Sequence, residues 1–387
     1  MQALRPTVNA EDSARNGLRI LQVIWWGELG GIALNLGDMA RQFHGSGHTL
    51  EVCVISSSGP LIDGLSSNDI HITEIGARSG FDIWGFVRFC RYLKNKRFDI
   101  VHVHGATFFV TLALMVGAGT ARKVFQEHGV IRSHHRRTTR LLFYKLFRRV
   151  YDRFVAVSGA TAEDLLWTGV PIDRVVTIPN PVDAVAFSPR PSRESAKERL
   201  GISGSVQTVG TACRFAPEKD LALFLEVAAI VTAARQGVRF IMVGAGDEQR
   251  SLEQRIEALH LTRSVRFTGM RTDMPLVWRA FNVYLFTSRL EPFGRTLLES
   301  LACETPVVAA VPTDGGAIEL ARRSPGILAV EDRNPQHLAA LVVRLLDSPH
   351  ECEELGRLGR IWAAEQYGVV EWARAFDSLY MTLHQRR

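Results

Sequence analysis

Asn282-Val-Tyr-Leu-Phe-Thr-Ser288, Glu291-Pro-Phe-Gly-Arg-Thr-Leu-Leu-Glu299 and Thr305-Pro-Val-Val-Ala-Ala310 together decide the fold class. Val283–Phe286 is a short apolar run of buried-strand type. Pro292 and Gly294 then break the chain, Arg295 onward reads as helix, and Val307–Ala310 as another strand. Strand, loop, helix, strand puts Glu291 and Glu299 at the carboxyl edge of a parallel sheet. In open α/β sheets that edge is where ligands bind. Open amides at the helix start suit phosphate oxygens, and carboxylates suit hydroxyl groups. The blander alternative is an exposed helix pair between Arg295 and Glu299, worth a few tenths of a kcal/mol, with Glu291 a solvated loop charge. The rest of the chain weighs between them.

At 387 residues the chain is long enough for two domains. With 46% hydrophobic and 22% charged residues it has ordinary globular composition. Cys53, Cys90, Cys213, Cys303 and Cys352 are scattered, with no C-x-x-C pair. They read as reduced thiols in a cytoplasmic setting, not as a disulfide framework or zinc site. Residues 1–17 are polar and mixed in charge, and read as a loose tail without the apolar core of a signal peptide. Ile100 to Ala121 holds no charged side chain over 22 residues. It opens as Ile-Val-His-Val-His and breaks at Gly105, so it reads as buried strand then buried helix, not as a membrane span. The net charge of +6 falls in the first half, where residues 1–190 hold 22 Lys and Arg against 16 Asp and Glu.

Alternating strand and helix signals run through both halves, predicting parallel sheets with helices on both faces. In the first half strands are expected at 18–25, 49–55, 100–104, 123–126, 153–157 and 175–178. In the second they are expected at 206–212, 240–243, 265–268, 283–286 and 307–310. The proline-rich stretch following Asn180 marks a break, with 186–200 as the interdomain connection. The expected organisation is a domain over 18–185, a second over 201–365, and a last helix within 366–387 that returns to the first.

Several loops carry chemistry. Gly30-Gly31, after the first strand, lets backbone approach a diphosphate at a helix start, although a Gly-Gly after a strand is more often a simple turn. Gly244 in Gly244-Ala-Gly246 is similarly permissive. Arg214 and Lys219 lie five residues apart in a strand-end loop fixed by Pro217; a planar fork and a compact charge both suit phosphate oxygens. The alternative is a solvated basic loop paired with Glu218. His128, before Gly129 at another strand end, suits a general role near a reacting group. His102 and His104 face one side of one strand; their spacing could ligate a metal, but no third ligand is evident. No Asp-x-Asp, P-loop, G-x-S-x-G or H-E-x-x-H occurs.

In series, these fragments resemble the family 4 glycosyltransferases, retaining enzymes of the GT-B fold. The resemblance runs from Leu18 to Glu319 through Gly30-Gly31, Val101-His-Val-His104, Glu127-His128-Gly129, Val155-Ala-Val-Ser158, Ile178-Pro-Asn180-Pro-Val-Asp183, Arg214 with Pro217-Glu-Lys219, Val243-Gly-Ala-Gly246, Val265-Arg-Phe-Thr-Gly269, Glu291-Pro-Phe-Gly294 with Glu299, and Thr305-Pro-Val-Val308 followed by Gly315-Gly316 and Glu319. It implies α/β architecture: two doubly wound, Rossmann-like domains facing a deep cleft. It further implies transfer of a sugar from a nucleotide-diphosphate donor to a hydroxyl acceptor, a glycan or lipid-linked intermediate of cell-surface polysaccharide synthesis. Glu291 would contact donor-sugar hydroxyls and Glu299, beside Arg295, the ribose. Arg214 and Lys219 would hold the diphosphate, helped by backbone at Phe293-Gly294, Gly244 and Gly30-Gly31, and His128 would stand near sugar and acceptor. With two fixed cations on the diphosphate, no metal or other cofactor is required. Retention in this family implies front-face attack, the departing phosphate taking the acceptor's proton.

The chain departs from the family pattern at Ile32, where Glu often follows Gly-Gly-x, and at Pro181, Asn282 and Cys303-Glu304. The first of these falls on the acceptor side. Arg132 to Arg153, with eight basic residues and one acid, reads as an amphipathic helix packed on its domain, or as a surface for anionic membrane lipids on the inner face of a membrane. Nucleic acid is not expected, because no aromatic stacking platform accompanies the charge. A nucleotide-sugar epimerase or hydrolase, or a non-catalytic sugar-nucleotide-binding protein, remains the competing expectation.

Overall fold

The computed structural model describes residues 17–27, 30–57, 59, 70–105, 107–132 and 137–385. The chain divides into two compact units, Met1–Pro179 with Val370–Arg387, and Asn180–Val369. All but one residue of the expected N-terminal tail lies outside the described residues.

In the first unit, β1 (Arg19–Ile24), β2 (Thr49–Val54), β3 (His71–Glu74), β4 (Ile100–His104), β5 (Arg122–Glu127), β6 (Arg153–Ala156) and β7 (Val175–Thr177) form a sheet in the order β3-β2-β1-β4-β5-β6-β7. Every pairing is parallel. β4 is buried throughout, which is why its sequence shows no polar alternation beyond two histidines. The uncharged stretch after it is a ten-residue helix, Phe108–Gly117, whose Thr107 cap accepts from the Val110 amide. Among the described residues no helix is long and apolar enough to cross a membrane.

The second unit has β8 (Thr208–Ala212), β9 (Arg239–Val243), β10 (Val265–Gly269), β11 (Val283–Phe286), β12 (Val307–Ala310) and β13 (Ile327–Val330), in the order β10-β9-β8-β11-β12-β13, again parallel. The chain is thus built from two Rossmann-like sheets. β3 and β13 are sheet-edge strands absent from the sequence expectation. Each is only four residues long, and no residue of β3 is buried, so neither leaves a pattern that stands out.

Residues 186–200, expected as a connection, fold within the second unit. Ser192 caps the helix Arg193–Arg199, and Ala196 and Leu200 pack with Ala280. The chain passes between units earlier, at Pro179–Asn180. The last helix, Val369–Gln385, buries Trp372, Phe376, Tyr380 and Leu383. Its Tyr380 hydroxyl lies 2.7 Å from His102 Nδ1, so the chain's end completes the first core.

Candidate active site

Each sheet has one place where the strand order reverses: β1 beside β4 in the first, β8 beside β11 in the second. Loops leaving neighbouring parallel strands at such a point diverge to opposite faces and leave a crevice between them. In the second unit the loops after β8 and β11 carry Arg214, Lys219 and Glu291. Lys219 Nζ donates to Glu291 Oε2 at 2.6 Å, with 17% and 16% of the two side chains exposed.

The supports of this pair are local and mostly backbone. Thr287 Oγ1 donates to the Lys219 carbonyl (3.0 Å), and the Arg289 amide to the Glu218 carbonyl (2.8 Å). Asp220 takes a left-handed conformation (φ 49°) directly after Lys219. Its carboxylate accepts from Arg289 Nε at 2.7 Å and Arg333 Nη2 at 2.8 Å. Arg333 donates onward to the carbonyls of Thr287, Ser288 and Val311. Asp220 and Arg333 therefore clamp the two loops together. No local pattern announces this clamp, because its members lie 113 residues apart. At Gly315 a Cβ would stand 2.1 Å from the Glu291 carbonyl oxygen, and φ is +102°, so only glycine lets this loop press against Glu291.

Burial opposes the Lys219 charge, but the charge and hydrogen bond of Glu291 outweigh it and the ammonium pKa is raised. One of its three N–H donors meets Glu291, leaving donors for an anion. Arg214 is different. Its side chain is 72% exposed and pairs with Glu218 at 2.7 Å, a surface pair of small net worth that leaves the arm free to change partner.

The helix pair of Arg295 and Glu299 is present, but it is buried, not exposed: Arg295 Nε donates to Glu299 Oε1 at 2.9 Å, with 9% and 5% of the side chains exposed. Trp278 Nε1 donates to the other carboxylate oxygen at 3.2 Å. The Phe293 ring is buried against Tyr367 and anchors the loop. The amides of Phe293 and Gly294 at the start of the helix Arg295–Ala302 have no partner among the described residues. Gly244 has a packing task. Its amide donates to the Gly269 carbonyl (2.9 Å), and a Cβ there would stand 2.0 Å from the Cys213 carbonyl oxygen.

In the first unit His128 follows β5, and its Nε2 lies 2.9 Å from His104 Nδ1. His102, His104 and His128 stack in turn, with ring centroids 4.5 and 5.2 Å apart. The H-x-H spacing is thus used in a ring stack, and His104 has both nitrogens engaged. Among the described residues no group of three or more His, Cys, Asp or Glu is placed to hold a metal ion. Burial lowers the pKa of His128 to about 4, against a partial raising by Glu127, and that of His102 to about 3. Glu127 itself is buried, accepting from Arg140, Tyr144 and the Gly129 amide. Burial works to raise its pKa; the Arg140 charge and these three donors outweigh it and hold the carboxyl below its usual range. Arg140, one of the basic run, is therefore a structural cation. Gly30 and Gly31 begin the helix after β1 without a side-chain cap, and nothing lies within 4 Å of where a Cβ would stand at either.

Comparison with known proteins agrees with this architecture. Residues 29–185 match the family model described as Glycosyltransferase Family 4, and residues 192–362 that of Glycosyl transferases group 1. A D-inositol 3-phosphate glycosyltransferase of Kineococcus radiotolerans is 30% identical over 256 residues, covering 61% of this chain and 58% of that protein. The lipopolysaccharide core biosynthesis mannosyltransferase LpsB of Rhizobium meliloti is 28% identical over 62% of this chain and 67% of its own length. The chain aligns with about half to two-thirds of the length of these curated relatives. The crystal structure of Anabaena HepE in complex with UDP-glucose superposes with a TM-score of 0.81 at 22% identity, covering 94% of this chain and all of that one. Sucrose-phosphate synthase from Thermosynechococcus elongatus gives 0.78 at 18% identity, over 96% of this chain and all of that one. Matched by family models in both halves, and sharing its fold with these solved structures, the chain belongs to the family 4 glycosyltransferases and has the GT-B fold.

Proposed function

We propose that this protein is a cytoplasmic, retaining glycosyltransferase that moves a sugar from a nucleotide-diphosphate donor to a hydroxyl of a glycan or lipid-linked acceptor in cell-surface polysaccharide synthesis. The observation that carries the reading is the Lys219–Glu291 pair, clamped where the second sheet reverses its strand order. A mostly buried ammonium with spare donors suits diphosphate oxygens, and the neighbouring carboxylate suits sugar hydroxyls. Relatives named as inositol-phosphate glycosyltransferase, GDP-mannose-dependent mannosyltransferase and lipopolysaccharide core mannosyltransferase support the substrate class.

On this reading Lys219 and Arg214 stabilise the diphosphate as charge develops on it, and the Phe293 and Gly294 amides add fixed dipoles. Glu291 orients the sugar. Glu299, held by Arg295 and Trp278, offers its remaining lone pairs to the ribose. His128 stands by the acceptor. The acceptor oxygen bonds to the anomeric carbon on the face the phosphate leaves, and the phosphate oxygen takes the acceptor's proton. The two cations replace a metal, so chelation by EDTA leaves transfer unchanged; loss of transfer on chelation would remove that part.

The deciding experiment measures melting temperature with UDP, GDP, ADP and dTDP, then assays the matching sugar donors with and without acceptor. One nucleotide diphosphate at a hundred times its Kd should stabilise by about 2.7 kcal/mol. Acceptor-dependent turnover supports transfer, acceptor-free turnover makes the protein an epimerase or hydrolase, and binding alone makes it non-catalytic.

The acceptor side has a membrane-facing character. On the helix Arg137–Phe147, Leu142 and Leu146 are 49% and 57% exposed, one turn apart, with exposed Lys145 between them and exposed Arg149 one turn on. Outward leucines flanked by cations suit an anionic lipid interface. Vesicles rich in phosphatidylglycerol should bind the protein, and binding should fall steeply with salt. Salt-independent or absent binding would sink this placement, as would undiminished binding by Leu146→Gln with Lys145→Gln.

A further inference from the structure

The first unit buries a polar chain that starts far from His128 in sequence and ends on it. Gln22, in β1, has its amide nitrogen 3.2 Å from Met39 Sδ and 3.2 Å from the Tyr380 hydroxyl. A thioether can only accept, so it fixes which end of the amide carries hydrogens. Gln22 Oε1, then the acceptor end, lies 2.8 Å from His104 Nε2, which must therefore carry a proton. His104, held neutral by burial and by the neighbouring rings of His102 and His128, has an unprotonated Nδ1. The 2.9 Å contact from His104 Nδ1 to His128 Nε2 is then a bond donated by His128. The Tyr380 hydroxyl receives the Gln22 N–H and donates its own proton to His102 Nδ1 at 2.7 Å. His102 Nε2 is then a buried N–H with no partner among the described residues.

We propose that Gln22 and Tyr380, acting through His104, are positioning residues that hold His128 as its Nε2-protonated tautomer and present the Nδ1 lone pair at the sheet edge. His128 can then accept a hydrogen bond from a substrate hydroxyl but cannot donate one to a phosphate or sugar oxygen. This rests on the glycosyltransferase reading only for what the lone pair meets; the tautomer itself belongs to the fold. It also gives the returning C-terminal helix a task beyond packing. Tyr380 ties the chain's end to the one histidine of the stack that is not fully buried.

Nitrogen NMR of the full chain with 15N-labelled histidine tests this without any assay of activity, His128→Gln assigning the signal. At neutral pH His128 should show a pyridine-type Nδ1 and a pyrrole-type Nε2. Gln22→Leu removes the acceptor for His104 Nε2–H, so the Nδ1 resonance should move toward an averaged, mixed-tautomer position. A pyrrole-type Nδ1 in the wild type, or a His128 signal unmoved in folded Gln22→Leu, would overturn the proposal. If Gln22→Leu does not fold by circular dichroism, the wild-type nitrogen types decide alone. A protein that binds nucleotide but transfers nothing would undo the reading of the reaction and leave this result intact.

Discussion

Lys219→Ala is expected to lower transfer by about 10²–10³-fold, the usual cost of removing one fixed donor from a developing anion. The loss should fall on kcat more than on the donor KM, because charge on the diphosphate grows as the glycosidic bond breaks. Glu291→Ala should cost a similar factor through a different route, since sugar orientation is lost while the Lys219 charge remains. The two residues are joined by a 2.6 Å bond, so their effects should not add. The double variant should be little worse than the poorer single one. Lys219→Arg should recover only part of the activity, because a planar fork cannot replace a compact charge in a loop packed this closely. The fold should survive, since both side chains lie in loops that Asp220 with Arg333 still clamps. Melting temperatures near wild type, with activity gone, are the expected record. Near-normal turnover in either single variant would remove the site assignment.

What could be read from the sequence was set by how local each feature is. Val283–Phe286, the loop with Pro292 and Gly294, and the helix after it formed as expected, because apolar runs and chain breakers act within a few residues. The Lys219 and Glu291 loops could be placed at a sheet edge by the same logic. Their meeting could not, because it depends on β8 lying beside β11, a topological fact. Asp220, Arg289 and Arg333 carry no local signal at all. Gln22 did carry one, a polar residue inside the buried run Leu18–Trp25, and its buried amide proves to be the hub of the histidine chain. Tyr380 did not, since nothing near it announces a partner 278 residues away. Gly244 shows the opposite limit. A glycine suited to phosphate and a glycine needed for two backbones to touch look the same until the neighbour is known.

The stacked histidines make acid stability the second large expectation. An unfolded chain protonates histidine near pH 6.5, whereas the folded protein holds His128 to about 4 and His102 to about 3, chiefly by burial. Below pH 6.5 the unfolded state therefore binds more protons than the folded one, and stability falls as pH falls. At pH 5 the His128 contribution alone is on the order of 2 kcal/mol lost relative to pH 7. Glu127 works in a separate window. Its carboxyl is held below the usual range, so the stability it contributes is lost only as pH drops below about 4.5. Between pH 6.5 and 5 the histidines should dominate, and urea midpoints should slide down across that interval before the carboxylate is reached. His128→Gln removes one of the three rings and should shrink the difference between pH 7 and pH 5 by about 2 kcal/mol while leaving the step below pH 4.5 in place. An unchanged slope between pH 6.5 and 5 in that variant would mean that His128 is protonated freely in the folded protein, and that it is not held neutral as the buried stack requires.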